Sequence, residues 1–261
     1  MNTIIVPVDF SVASIHAARY AAQMTVGHYG INLILYHSYS KSSEEAGVEG
    51  DLEKLKQELM HDNIVKIDLM AQREVDFVDG LERAVRHRRA DLVVMGIAGE
   101  SSHEEDHYGH QALKLARTKA CPVLIVPEKH SYVPISNVML TSDFKNTLHT
   151  TPSVPIKIFL DLFKPKLHVV NVDKDHYISL TDHIEKEKND LRSLFEEYDP
   201  EFYFMRLYDV EEALSLFAKD RNIDLIIAIQ KDHNFMERLF KTSHTKKLTS
   251  ESNLPVLVIH E

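Results

Sequence analysis

Two kinds of apolar pattern alternate along this chain. Short, nearly continuous runs such as Ile4-Ile5-Val6-Pro7-Val8, Leu33-Ile34-Leu35-Tyr36, Leu92-Val93-Val94-Met95 and Val123-Leu124-Ile125-Val126 are the pattern of strands buried on both faces. They predict strands over 4–8, 31–37, 63–69, 92–95 and 122–127. Between them apolar residues recur every three or four positions. Ile15, Ala18, Ala22 and Val26 share one face behind Ser11, a good helix cap. A charged helix is predicted near Leu52 to Met60, another from about Asp76 to Arg88, and a third on Leu113, Ala116 and Ala120. Strand and helix in alternation require a parallel sheet covered by helices on both faces, so the fold class is α/β and doubly wound.

The pattern then repeats. Ile4 to Phe10 returns as Val138 to Phe144 and Leu33 to His37 as Leu167 to Asn171, both at an offset of 134. Asp91 to Val94 returns as Asp224 to Ile227 and Pro122 to Val126 as Pro255 to Ile259, both at 133. Four strands in matching order with one residue lost between them indicate a tandem duplication. The expected domains are 1–130 and 135–261, joined around Glu128 to Ser136. In the second copy Pro152 and Pro155 break the start of the first helix and move its onset to roughly Val154. A long polar helix is expected over 179–197 and a last one over 242–250.

The stretch Asp91 to Pro127 carries the most chemical information. Its strand leads into a polar loop punctuated by Gly96, Gly99 and Gly109, and then into a helix. Glycines let backbone N–H groups approach an anion closely, and a helix start adds positive potential, so a phosphate suits this geometry. The spacing is neither the dinucleotide fingerprint nor the P-loop. It resembles the nucleotide loop of the universal stress protein family, in which two glycines, nine residues and a Gly-Ser or Gly-Thr hold the phosphates of ATP. Here His110 stands at the Ser/Thr position, followed by Gln111.

The resemblance covers nearly the whole chain as two such domains in series. It implies five-stranded parallel sheets in the order 3-2-1-4-5, with the ligand at the carboxyl ends of strands one and four. It also implies that strands 122–127 and 254–259 pair antiparallel, making an intramolecular pseudo-dimer of the kind single-domain members form from two chains. The implied adenosine contacts fall on Pro7, Asp9 and Ser38 and the phosphate contacts on Gly96, Gly99, Gly109 and His110, with Gln111 completing the implied nucleotide set. Asp9 serves two readings equally, as an acceptor for a nucleotide donor and as a negative charge before the helix at Ser11. Glu100, Glu104, Glu105 and Asp106 in the loop repel a triphosphate unless magnesium bridges them.

The second copy has lost every loop glycine. Ile229, Asp232 and Thr242-Ser243 stand opposite Gly96, Gly99 and Gly109-His110. A close backbone cradle is not expected there. Phe235, Met236, Leu239 and Phe240 form instead an apolar set for the core or a protein partner, while Arg238, Lys241, Lys246 and Lys247 read as a solvated face.

Charge and composition narrow the function classes. The net charge of −10 divides evenly between the halves, and no basic tail suggests nucleic acid. Cys121 is the single cysteine, so no internal disulfide forms and a buried spectator thiol is expected. No segment has the length of a membrane span, and MNTIIVPVDFS has no signal character, which points to the cytoplasm. His103-Glu104-Glu105-Asp106-His107 matches the letters of HExxH, yet it lies between glycines in an acidic loop without a third ligand. His103 and His107, with His110, could meet a divalent ion only if that loop turned helical, and no metal site is assigned. His37 and His168 are expected to be packed and hydrogen-bonded rather than catalytic. With no nucleophile, base or complete ligand set, the chain is not expected to be an enzyme. The resemblance implies a stress-response regulator with ATP or another adenine nucleotide in the first domain. The alternatives are a nucleotide-free scaffold for a protein partner or a homodimer and, behind both, an ATP-cleaving enzyme.

Overall fold

The computed structural model describes residues 1–41, 45–97, 107–173, 182–206, 210–230 and 254–261. The chain divides into two compact units, Met1–Tyr132 and Val133–Glu261. In the first, β1 (Thr3–Pro7), β2 (Asn32–Tyr39), β3 (Lys66–Arg73), β4 (Leu92–Ile97) and β5 (Val123–Pro127) form a parallel sheet in the order β3-β2-β1-β4-β5. Helices α1 (Val12–Met24) and α2 (Glu45–Asp62) cover one face, and α3 (Phe77–Arg88) and α4 (His107–Arg117) the other. The second unit repeats the plan with β6 (Asn137–Thr141), β7 (Lys166–Asp173), β8 (Glu201–Arg206), β9 (Leu225–Gln230) and β10 (Val256–His260), ordered β8-β7-β6-β9-β10. Its described helices are α5 (Thr147–Thr150), α6 (Ser153–Phe163), α7 (Asp182–Leu194) and α8 (Val210–Asp220). The expected order 3-2-1-4-5 is therefore present in both units.

The apolar runs form the centre of each sheet. Ile4, Ile5, Val6, Leu33, Ile34, Leu35 and Leu92 to Met95 are at most 1 % exposed. Burying each such side chain contributes about 1.5–3 kcal/mol, which fixes these strands in the middle of the layers. The duplication also extends to hydrogen bonds at the amino ends of the strands. Asp91 Oδ2 accepts from the backbone N–H of Asn2 and Thr3 at 2.6 and 3.1 Å, and Asp224 Oδ2 accepts from Ser136 and Asn137, both at 2.8 Å. Each aspartate opens the fourth strand of its unit and ties it to the start of the first.

Several boundaries differ from the sequence expectation, each for a local reason. Helix α1 starts behind Ser11, whose Oγ accepts from the Ser14 N–H at 3.2 Å, but it ends at Met24. Val26 thus lies beyond the helix and is 48 % exposed, while the buried face is built from Ala13, Ala17, Ala18, Tyr20, Ala21 and Ala22. Strand β3 starts at Lys66 rather than 63, because Asn63 still closes α2 by donating from Nδ2 to the Leu59 carbonyl at 3.0 Å. In the second unit α6 begins at Ser153, close to the expected onset, but the short α5 precedes it. The polar helix α7 ends at Leu194, and Glu196–Tyr198 forms a 3-10 turn. The last expected helix, 242–250, lies outside the described residues.

Among the described residues no helix is long and apolar enough to cross a membrane.

Candidate functional site

The candidate site gathers at the carboxyl end of β1, where both neighbouring strands run further than β1 does. Pro7, its last residue, is in register with Tyr36, and β2 continues through His37 and Ser38 to Tyr39. On the other side Ile4 and Ile5 pair with Leu92 and Val93, so Gly96 and Ile97 of β4 also pass the end of β1. The result is a notch at the switch point of the sheet, the place where open α/β sheets bind ligands. The β1–α1 turn fills its floor.

That turn is held by its own side chains. Asp9 Oδ1 accepts from the Ser11 N–H at 3.0 Å and from Ser11 Oγ–H at 2.6 Å, while Ser14 Oγ accepts from the Asp9 N–H at 3.3 Å. Phe10 adopts φ 66°, a left-handed conformation that reverses the chain into α1. Its ring lies against His37, with centroids 5.2 Å apart, and His37 Nδ1 sits 2.6 Å from the Val8 carbonyl oxygen. With Nδ1 carrying the proton, the ring donates to that oxygen. The expectation that His37 is packed and hydrogen-bonded is met, and Asp9 serves the turn in the way its capping reading requires.

The β4 side is shaped by one close approach. A Cβ on Gly96 would lie 2.1 Å from the Ala13 carbonyl oxygen and 2.5 Å from its carbon, so no side chain fits where α1 crosses β4. Helix packing alone therefore demands glycine at this position. Helix α4 starts at His107, two residues ahead of Gly109, so Gly109, His110 and Gln111 stand in its first turns rather than in the loop before it. Gln111 Oε1 is shut off from solvent and has no hydrogen-bond donor among the described residues. A buried amide oxygen left unpaired is costly, and it marks a place where a donor is wanted. Gly99 and the HExxH letters up to Asp106 lie outside the described residues.

Other candidate chemistry is quiet. Among the described residues no group of three or more His, Cys, Asp or Glu side chains could hold a metal ion. Burial pushes the Cys121 thiol up to about 12, so it stays protonated and inert at neutral pH.

The sequence pattern of the universal stress protein family matches residues 1–127 and 165–260. The chain belongs to the universal stress protein family. Among solved structures it is similar to a universal stress protein from Archaeoglobus fulgidus, at 16 % identity over 99 % of this chain and 98 % of that one, with a TM-score of 0.67. It is also similar to a functionally unknown protein from Pseudomonas aeruginosa, at 14 % identity over 100 % and 92 % of the two chains, TM-score 0.61. A third similar structure is the cytoplasmic domain of a prokaryotic cation chloride cotransporter, at 12 % identity over 98 % and 94 %, TM-score 0.56. At these identities the likeness is one of fold. No curated protein sequence matches the chain significantly.

Both universal stress protein units build the β1–α1 turn in the same way. Asp143 Oδ1 accepts from the Lys145 N–H at 3.2 Å, as Asp9 does from Ser11, and Phe144 has φ 52°. Asn171 Nδ2 donates to the Ser142 carbonyl at 2.8 Å, taking the place of His37 against Val8. Phe144 is buried against Phe202 and Phe204, at centroid distances of 6.2 and 5.0 Å. The turn thus persists in the unit whose sequence has no loop glycines. Residues 231–253, which hold that degenerate loop with Phe235, Met236, Leu239, Phe240 and the expected cap at Thr242-Ser243, lie outside the described residues. The sequence reading missed the packing role of Gly96. The small residues at Ala13 and Ser14 facing it were the available signal.

Proposed function

We propose that this member of the universal stress protein family is a stress-response regulatory protein whose first unit binds an adenine nucleotide, ATP in the first instance, and that it is not an enzyme. The observation that carries the reading is the sequence spacing of Gly96, Gly99 and Gly109, which runs from the end of β4 into the first turn of α4, with Gly96 beyond the end of β1. The buried Gln111 Oε1 in α4, which has no donor among the described residues, supports it, since an adenine amino group or a ribose hydroxyl is the kind of donor that oxygen lacks.

In this reading the nucleotide base and sugar meet Pro7, Asp9, Ser38 and Gln111, and the phosphates meet the backbone of Gly96, Gly99, Gly109 and His110. Magnesium offsets the acids of segment 100–106. Binding shifts the population of a partner-competent state, because a ligand acts through its different affinity for two states. The second unit, without loop glycines, contributes structure.

The test is calorimetric titration of ATP and AMP, with and without magnesium, into the intact chain and into Gly109→Trp and Gln111→Leu variants. One site per chain that both variants weaken is the expected result. No heat and no thermal shift at millimolar nucleotide would remove the nucleotide reading and leave the ligand-free scaffold.

A further inference from the structure

The end of α3 carries a concentration of positive charge that the fold does not need. Residues 83–89 read Arg-Ala-Val-Arg-His-Arg-Arg, four arginines and no acid, in a chain whose net charge is −10. Arg83, Arg86, His87, Arg88 and Arg89 are all exposed. Arg83 is paired with Glu74 and Arg86 with Glu82. Arg88 and Arg89 have no side-chain hydrogen bond or ion pair among the described residues.

A helix carboxyl end favours a cation or two through its dipole, and that is the ordinary explanation for basic residues there. The duplication supplies an internal control. Helix α8 is the counterpart of α3, and it ends in the same left-handed cap, Asn222 at φ 49° against Arg89 at φ 50°. Its residues 216–222 read Leu-Phe-Ala-Lys-Asp-Arg-Asn, a net charge of +1 where the first unit has +4. Asp220 replaces His87 and holds Arg221 at 3.2 Å. The same helix end therefore folds with most of the charge removed, although Arg221 keeps the place of Arg88 and Lys219 that of Arg86, so the further charge at Arg83 and Arg89, with no acid at His87, answers some other requirement.

Beside this ridge is a pocket of about 350 Å³ between β3 and α3, lined by Gln72, Glu74, Arg83, Ala84 and His87. We infer that the carboxyl end of α3 is a docking surface for an acidic segment of a protein partner, with one side chain seated in this pocket and carboxylates along Arg86, Arg88 and Arg89. None of the pocket's lining residues is among those assigned to the nucleotide, so the inference does not depend on nucleotide binding. Charge complementarity selects the partner. The ridge is about two helical turns long, Glu74 and Glu82 partly neutralise it through Arg83 and Arg86, and the rest of the chain is acidic. That arrangement suits a short peptide with spaced monoanions and disfavours a phosphate-dense polymer or an anionic membrane, which would face the acidic remainder.

The test uses the full chain and a fluorescein-labelled glutamate-rich dodecapeptide, with duplex DNA and phosphatidylserine vesicles as competing probes. The variants are Arg88→Gln/Arg89→Asn and His87→Asp, the latter two changes being residues the second unit already carries at these places. Equal melting temperatures establish that they fold. The expected result is peptide binding that weakens with salt and falls about tenfold or more in the variants. Absent binding, or binding that the variants leave unchanged, overturns the inference. Tighter, variant-sensitive binding of the DNA or the vesicles overturns the assignment to an acidic protein segment.

Discussion

His37 Nδ1 lies 2.6 Å from the carbonyl oxygen of Val8, and the bond reappears in the second unit as Asn171 Nδ2 donating to Ser142 at 2.8 Å. Two chemically different side chains satisfy the same carbonyl at the same place in a duplicated turn. What both units share is the donor, because the carbonyl at the end of the first strand has no further strand partner among the described residues and its residue in the first unit is 2 % exposed.

His37→Asn is therefore expected to retain stability, since its amide matches the second unit. His37→Leu leaves the Val8 carbonyl without its donor and should cost about 1–3 kcal/mol. Urea denaturation of the two variants checks the order. A leucine variant as stable as the asparagine one would mean that Phe10 packing, not the hydrogen bond, holds the turn.

Gly96 gives a second expectation. Alanine there must move the Ala13 carbonyl, a backbone group of α1, from 2.1 Å to ordinary contact. Overpacking of this kind costs about 1–3 kcal/mol. Gly96→Ala should lower the melting temperature whether or not nucleotide is present, because the clash is with the protein itself. Loss of nucleotide affinity with unchanged stability would instead place the glycine's role in the ligand cradle.

These two residues show what was legible in the sequence and what was not. Nine of the ten strands could be read, most of them because Ile4 to Val6, Leu92 to Met95 and their repeats are apolar without interruption, a pattern that double-sided burial explains, whereas β8 mixes Glu201 and Arg206 with its aromatics and was not among them. Gly96 was visible as a glycine after a strand, but two physical demands select glycine equally, and only the distance to Ala13 identifies the packing one. Helix α5 left no local signal, since Asn146 at φ 51° and a four-residue helix are held by Glu187, forty residues away in sequence. The charge of residues 83–89 is plain in the sequence, but its pairing is not: Glu74 and Glu82 hold Arg83 and Arg86, while Arg88 and Arg89 have no side-chain partner among the described residues, and the second unit carries three fewer net charges there.

Glu187 carries a prediction of its own. Its carboxylate is 5 % exposed and Oε2 accepts from the Thr147 N–H at 2.8 Å and Oγ1–H at 2.7 Å. Burial pushes its pKa up, but the Thr147 hydrogen bonds hold the net direction below the ordinary carboxylate range. A depressed carboxylate contributes stability that is present above its unfolded pKa of about 4.3 and lost as pH falls through the folded value. Glu187→Gln should flatten the acid limb of the stability profile below about pH 4.5 and cost stability at pH 7 by about 1.5–3 kcal/mol, the worth of bonds to a charged acceptor. Denaturation midpoints at pH 3.5, 5 and 7 for both proteins give the comparison, and parallel profiles would dismiss Glu187 as the titrating group.

His168 titrates in a different window. It is 2 % exposed, with Nε2 3.3 Å from Asn137 Oδ1 and its ring 5.7 Å from Tyr203 and 6.1 Å from Phe217. Burial lowers its pKa. Lys166 and Arg221 add to that direction, while Glu201, 3.9 Å from Nδ1, works against it. The fold thus holds the neutral ring, and the unfolded chain takes up a proton that the folded chain refuses. Above about pH 6.5 both states are neutral and nothing is lost; as pH falls through that value toward the folded pKa, stability declines. His168→Phe removes the proton site and keeps an aromatic ring among Tyr203 and Phe217. It should therefore lose the part of the stability slope that wild type shows as pH first falls below about 6.5, leaving the lower-pH limb of Glu187 in place. If that part of the slope survives the substitution, another histidine is the proton acceptor, and His168 is held only by packing.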